Sequence, residues 1–118
     1  DTKKSDTLRS KAAASMLKYE DDDCVKAVVE VALSVVEDTK KTALRYAIGK
    51  EIAKYENSKF RDVCEAFLAS KDVSTQGIGL DIWKKNRYIT LKDSVTAIAE
   101  AEKASANRSK ARLILEIE

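Results

Sequence analysis

Asp21-Asp22-Asp23-Cys24-Val25-Lys26-Ala27-Val28-Val29-Glu30-Val31-Ala32-Leu33-Ser34-Val35-Val36-Glu37-Asp38 is the stretch on which the fold turns. Valine favours strands, and a buried strand could carry the same run. Two features decide for helix. From Val25 to Glu37 there is no turn residue, which is long for a strand. The interspersed polar residues, Lys26, Glu30, Ser34 and Glu37, return at helical intervals and form one narrow stripe. Asp21, Asp22 and Asp23 supply an N-cap and first-turn carboxylates. A helix apolar on nearly all its other sides is a central one, packed by neighbours on several faces.

The same periodicity extends outward in both directions. Upstream, Asp6 or Thr7 can cap a helix reaching Tyr19, with Leu8, Ala12, Met16 and Tyr19 inward. Downstream, a third helix is predicted over 39–55, with Leu44, Ala47, Ile48, Ile52 and Tyr55 inward. Asn57 or Ser58 caps a fourth, whose Phe60, Val63, Cys64, Phe67 and Leu68 give the cleanest amphipathic pattern in the chain. Ser74 to Gly79, with two of the three glycines, reads as the main break, followed by a short helix over 80–85. Thr90-Leu91-Lys92-Asp93 resembles a capping sequence for a last helix. That helix carries Leu91, Val95, Ile98 and Ala99 inward and bends near Asn107, while 113–117 continues it or runs extended. With 118 residues, no proline and three glycines, the expectation is one all-α domain over 1–118. Its predicted form is a compact bundle of five or six helices. Stacked helical hairpins are the other arrangement, suggested by even helix spacing and by Lys18-Tyr19-Glu20 recurring as Lys54-Tyr55-Glu56.

Composition narrows the chemistry. Hydrophobic residues are 44% and charged residues 36%, too apolar for disorder and too charged for a membrane protein. No apolar run exceeds four residues, so no membrane segment is expected. The absence of histidine removes imidazole acid–base catalysis, Ser-His-Asp and Cys-His nucleophiles, and zinc sites built on imidazole. Gly77-Ile78-Gly79 lacks the rest of any phosphate-binding motif. Cys24 and Cys64 are too few for a disulfide scaffold or a four-cysteine metal site, and the acidic run beside Cys24 is poor company for a thiolate nucleophile. The predictions are therefore no enzyme, no metal and no cofactor. Buried free thiols and the lack of a visible targeting segment point to an intracellular, reducing compartment.

Charge placement carries the functional expectation. The net +2 conceals a balance of +3 over 1–19, −6 over 20–38 and +5 over 83–112. In the basic C-terminal part, Trp83, Lys84, Lys85, Arg87, Tyr88 and Lys92 interleave aromatics with cations, and Arg108, Lys110 and Arg112 follow. Cations suit phosphates or an acidic partner surface, and an exposed aromatic ring could stack on an unpaired base. Glu20, Asp21, Asp22 and Asp23 form the acidic counterpart. The small residues Ala97 to Ala111 and the apolar 113–117 segment would admit a further helix. The expected function is a non-catalytic protein-interaction or assembly module within a larger protein or ribonucleoprotein complex, through a protein partner or self-association. The alternative is an RNA-binding protein that uses the same basic residues on single-stranded RNA.

Overall fold

The computed structural model describes residues 2–19 and 21–116, the first three of these by backbone alone. Among them lie seven α-helices and no strand. They are α1 (Thr2–Lys18), α2 (Asp22–Val35), α3 (Thr42–Ile52), α4 (Arg61–Leu68), α5 (Val73–Asn86), α6 (Lys92–Ala99) and α7 (Ala106–Glu116). Short 3₁₀ turns, Ser58–Phe60 and Ile89–Leu91, lead into α4 and α6. The all-α class is as expected, and the predicted count of five or six is low.

The Val-rich stretch is helix α2. Asp21 caps it, accepting from the backbone N–H groups of Asp23 (2.8 Å) and Cys24 (3.3 Å). Lys26, Glu30, Ser34 and Glu37 are all exposed, while Val25, Val28, Ala32 and Val35 are buried. α2 packs against α1, α3 and α4, the central position its composition demands.

Two predicted boundaries are overturned. Residues 74–79 form no break: they belong to α5, which Asp72 caps through Thr75 N–H at 3.1 Å. The glycines there serve packing. A β-carbon on Gly79 would stand 2.8 Å from the Leu68 amide nitrogen, and one on Gly49 would stand 2.6 Å from the Phe67 ring. Missing side chains let α5 lie directly on α4 and α3, which outweighs glycine's helix penalty of about 1 kcal/mol. The predicted last helix is also two helices. Residues 100–105 interrupt it, and Asn107 lies in the first turn of α7 rather than at a bend in a continuous rod. Thr90 does not cap α6; its hydroxyl accepts from Arg61 Nε at 2.9 Å. Residues 113–116 are helical, and Ile117 lies outside the described residues.

The helices fall into two rows. α1, α3, α5 and α7 pack successively in one, and α2, α4 and α6 in the other. Across the rows α2 lies on α3, α4 on α5 and α6 on α7. A molecule of 42 × 28 × 17 Å is thus two helices deep along its thin axis. Buried positions repeat at one constant interval. Val25, Val28 and Ala32 of α2 correspond to Phe60, Val63 and Phe67, and Ala13 and Leu17 of α1 to Ile48 and Ile52. This interval is one residue shorter than the Lys-Tyr-Glu echo, so the two tyrosines are not equivalent: Tyr19 is exposed and Tyr55 half-buried.

One helix face is misplaced by the sequence reading. In α1 the buried residues are Ala13 and Leu17, whereas Leu8, Ala12 and Tyr19 are exposed and Met16 is half-buried. The apolar stripe expected to face the core lies largely outside it.

Candidate functional site

The residues expected at the basic site do not gather into one surface. Trp83 is 1% exposed and belongs to the core, where its indole N–H donates to Tyr88 O at 2.9 Å. This corrects its assignment as a stacking residue, because a ring enclosed on all sides offers no face to a base. Tyr88 is half-buried and its hydroxyl donates to Asn57 O. Burial pushes its ionisation above the ordinary value, so it stays protonated. Arg87 ends α5 in the left-handed conformation (φ 52°), its guanidinium 4.8 Å over the Trp83 ring and donating to Ile114 O at 3.2 Å. It ties α5, the indole and α7 together.

The C-terminal cations are also largely occupied within the chain. Lys110 donates to Gly77 O at 3.0 Å and pairs with Asp81 at 2.8 Å. Arg112 Nε donates to Ala99 O at 2.8 Å. Arg108 is half-buried, with its Nε enclosed and unbonded. Lys92 is exposed at the start of α6, in the opposite row from the other helical cations of the group. In the acidic group, Asp21 is the helix cap, exposed Asp22 pairs with Lys59 at 3.3 Å, and Asp23 is exposed. Glu20 lies outside the described residues.

Lys84 and Lys85 do form part of a surface site, with partners that sequence reading did not supply. They join Lys50, Ala53, Lys54 and Asp81 around a groove of about 390 Å³ between α3 and α5. Helical spacing explains the convergence. Asp81, Lys84 and Lys85 stand three and four apart on one face of α5, and Lys50 in the last turn of α3 is joined by Lys54 from the turn that follows it. The groove continues past Lys50 and Asp81 into a second depression of about 380 Å³, where Tyr46, Ile78, Asn107 and Lys110 contribute walls. Lys54 pairs with Glu51 at 2.9 Å, which raises its ionisation above the ordinary lysine value through that hydrogen bond. Lys50, Lys84 and Lys85 are exposed and have no carboxylate partner among the described residues. Four lysines and Ala53 line it with one carboxylate, Asp81, which pairs with Lys110, so the groove combines aliphatic surface with a surplus of positive charge.

The charge of the two rows matches this placement. Among the row of odd-numbered helices, α1 sets five bases against Asp6, α3 two against Glu51, α5 two against Asp81 and α7 three against Glu116. In the other row, α2 sets Asp22, Asp23 and Glu30 against Lys26, α4 sets Asp62 and Glu65 against Arg61, and α6 balances Asp93 with Lys92. Positive charge therefore follows helix parity rather than the C-terminal end. No local pattern marks Lys50 and Lys54: Lys50 sits in mixed-charge α3 and Lys54 in the turn after it. Only their spacing, and the pairing of α3 with α5, brings them to Lys84 and Lys85.

Groups with catalytic potential lie elsewhere and are subdued. Burial pushes the Cys64 thiol up to about 12, and its Sγ donates to Gly79 O at 3.4 Å. Both cysteines are unpaired, and no cluster of three or more metal-ligating side chains occurs among the described residues. No helix among them is long and apolar enough to cross a membrane. No family model, curated protein or solved structure matches this chain.

Proposed function

We propose that the chain is a non-catalytic module of stacked helical hairpins, one component of a larger complex, that docks an acidic protein segment along its α3–α5 groove. One observation carries this reading. Lys50, Lys84 and Lys85 come from two helices to line one open groove, and none has a carboxylate partner among the described residues. Lysine stems beside Ala53 suit an amphipathic helix that brings aliphatic side chains together with glutamates or aspartates. The unpaired thiols suit a reducing compartment, and the buried, protonated Cys64 supports a role without catalysis.

A second reading is single-stranded RNA, favoured by the surplus of cations on the odd-numbered helices. It receives less support from the aromatic residues, since Trp83 is enclosed and Tyr88 is engaged with Asn57.

Fluorescence anisotropy with a labelled acidic amphipathic peptide and with labelled oligouridine separates the two. The peptide is expected to bind at low salt, and the combined Lys50→Ala, Lys84→Ala and Lys85→Ala variant to weaken it about tenfold. Absence of peptide binding at low salt overturns the proposal. Tighter binding of oligouridine, falling steeply with salt, transfers the groove to the RNA reading.

A further inference from the structure

The apolar stripe of α1 lies open to solvent, with Leu8 67% and Tyr19 79% exposed. Its place in the stack explains why. Helices α3, α5 and α7 are each covered by the even-numbered helix that precedes them, whereas α1 packs on α3 and on the helix that follows it, α2, which leaves Leu8, Ala12 and Tyr19 exposed. Beside the stripe runs a groove of about 130 Å³ lined by Ala12, Ala13, Met16, Ala27, Val28 and Val31, with Arg9 at its rim.

We infer that a second copy of this chain covers this face, with α2 of each copy lying on α1 of the other about a two-fold axis. Within the chain, α2 already packs on odd-numbered helices in this way, against both α3 and one side of α1. Charge selects the same partner. α1 presents Arg9, Lys11 and Lys18, while Asp23 and Glu30 of α2 flank Ala27 and Val31 and have no ion pair among the described residues. A two-fold arrangement sets basic α1 against acidic α2 twice, as an isologous interface requires. Continuing the stack head to tail would instead bring α7, with Arg108, Lys110 and Arg112, beside basic α1. Like charges disfavour that filament.

Light scattering coupled to size exclusion tests this directly. The chain is expected at twice its 13.1 kDa, and Ala12→Glu, at an exposed position on the groove, at one times that mass with unchanged helical circular dichroism. Arg9→Glu alone and Glu30→Arg alone each set like charges together twice, and each is expected to raise the dimer Kd about tenfold or more. Mixing those two variants restores both opposite-charge contacts only between copies, so the mixture is expected to return to the dimer mass. A monomer at every concentration overturns the inference. So does a mass that climbs past the dimer, a dimer that survives Ala12→Glu, or a mixture that stays monomeric.

Discussion

Arg45 shows how much one side chain organises here. It is 5% exposed and pairs with Asp72 at 3.7 Å, too long for a hydrogen bond. Its hydrogen bonds go instead to Thr75 Oγ1 (2.8 Å), Asp38 O (3.0 Å) and Val35 O (3.3 Å). The two carbonyls lie at and just beyond the end of α2, where a cation is favourable, and each also accepts a backbone N–H, Val35 O from Asp38 and Asp38 O from Lys41. Asp72 completes the network, accepting from Thr75 Oγ1 (2.6 Å) and Tyr46 Oη (2.7 Å) while capping α5. The Thr75 hydroxyl first, then Tyr46, holds its carboxyl below the ordinary aspartate value. A folded-state value below the unfolded one contributes stability above the unfolded range that is lost as pH falls through the folded value. Thermal unfolding followed from pH 7 downward should therefore show a loss beginning near pH 4. In Asp72→Asn that acid-dependent step should shrink, because the titrating group is gone. An unchanged acid profile would remove Asp72 from this role.

Among the elements, α5 has the least helical composition and the most demanding environment. Gly79 allows its backbone to meet that of α4, so Gly79→Ala should lower stability by about 1–3 kcal/mol despite alanine's better propensity. Urea unfolding reads this as a lower midpoint at unchanged slope; a higher midpoint would show that the α4–α5 contact yields. The same helix shows where sequence reading succeeds and where it fails. α2 was legible because Lys26, Glu30, Ser34 and Glu37 keep helical phase and Asp21 is a good cap. α5 was not, because a Gly-x-Gly pair looks the same whether it frees a loop or admits a neighbouring backbone. The α1 stripe misled for a related reason. Leu8, Ala12, Met16 and Tyr19 are correctly phased for one face, but periodicity cannot say whether a neighbour exists to cover it. Lys84 and Lys85 were legible as surface cations, and their nearness to Lys50 and Lys54 depends on a helix pairing that no local pattern encodes. Arg45 left one faint trace, a cation within the inward register of Leu44 and Ile48.

For the whole molecule, the arrangement of charge matters more than its sum. The chain alternates helices between two rows, and its basic and acidic segments alternate nearly in step. Helix-borne cations therefore outnumber acids in one row, while acids equal or outnumber cations in the other. The expectation is an electric dipole from one row to the other, which net charge does not reveal. Approaching a charged surface, it turns before it touches, and presents one face rather than an average of all. It should consequently bind a cation-exchange resin more tightly than a scrambled-surface protein of net +2, and elute at a higher salt concentration. Replacing Lys50, Lys84 and Lys85 by glutamine should remove most of that excess, while replacing Lys26, Lys59 and Lys92 on the other row should remove little. Equal losses from the two sets would mean that the molecule meets the resin without preferred orientation. If the groove takes an acidic ligand, as proposed, its place on the leading face of such a dipole would bring it to that ligand already turned toward it.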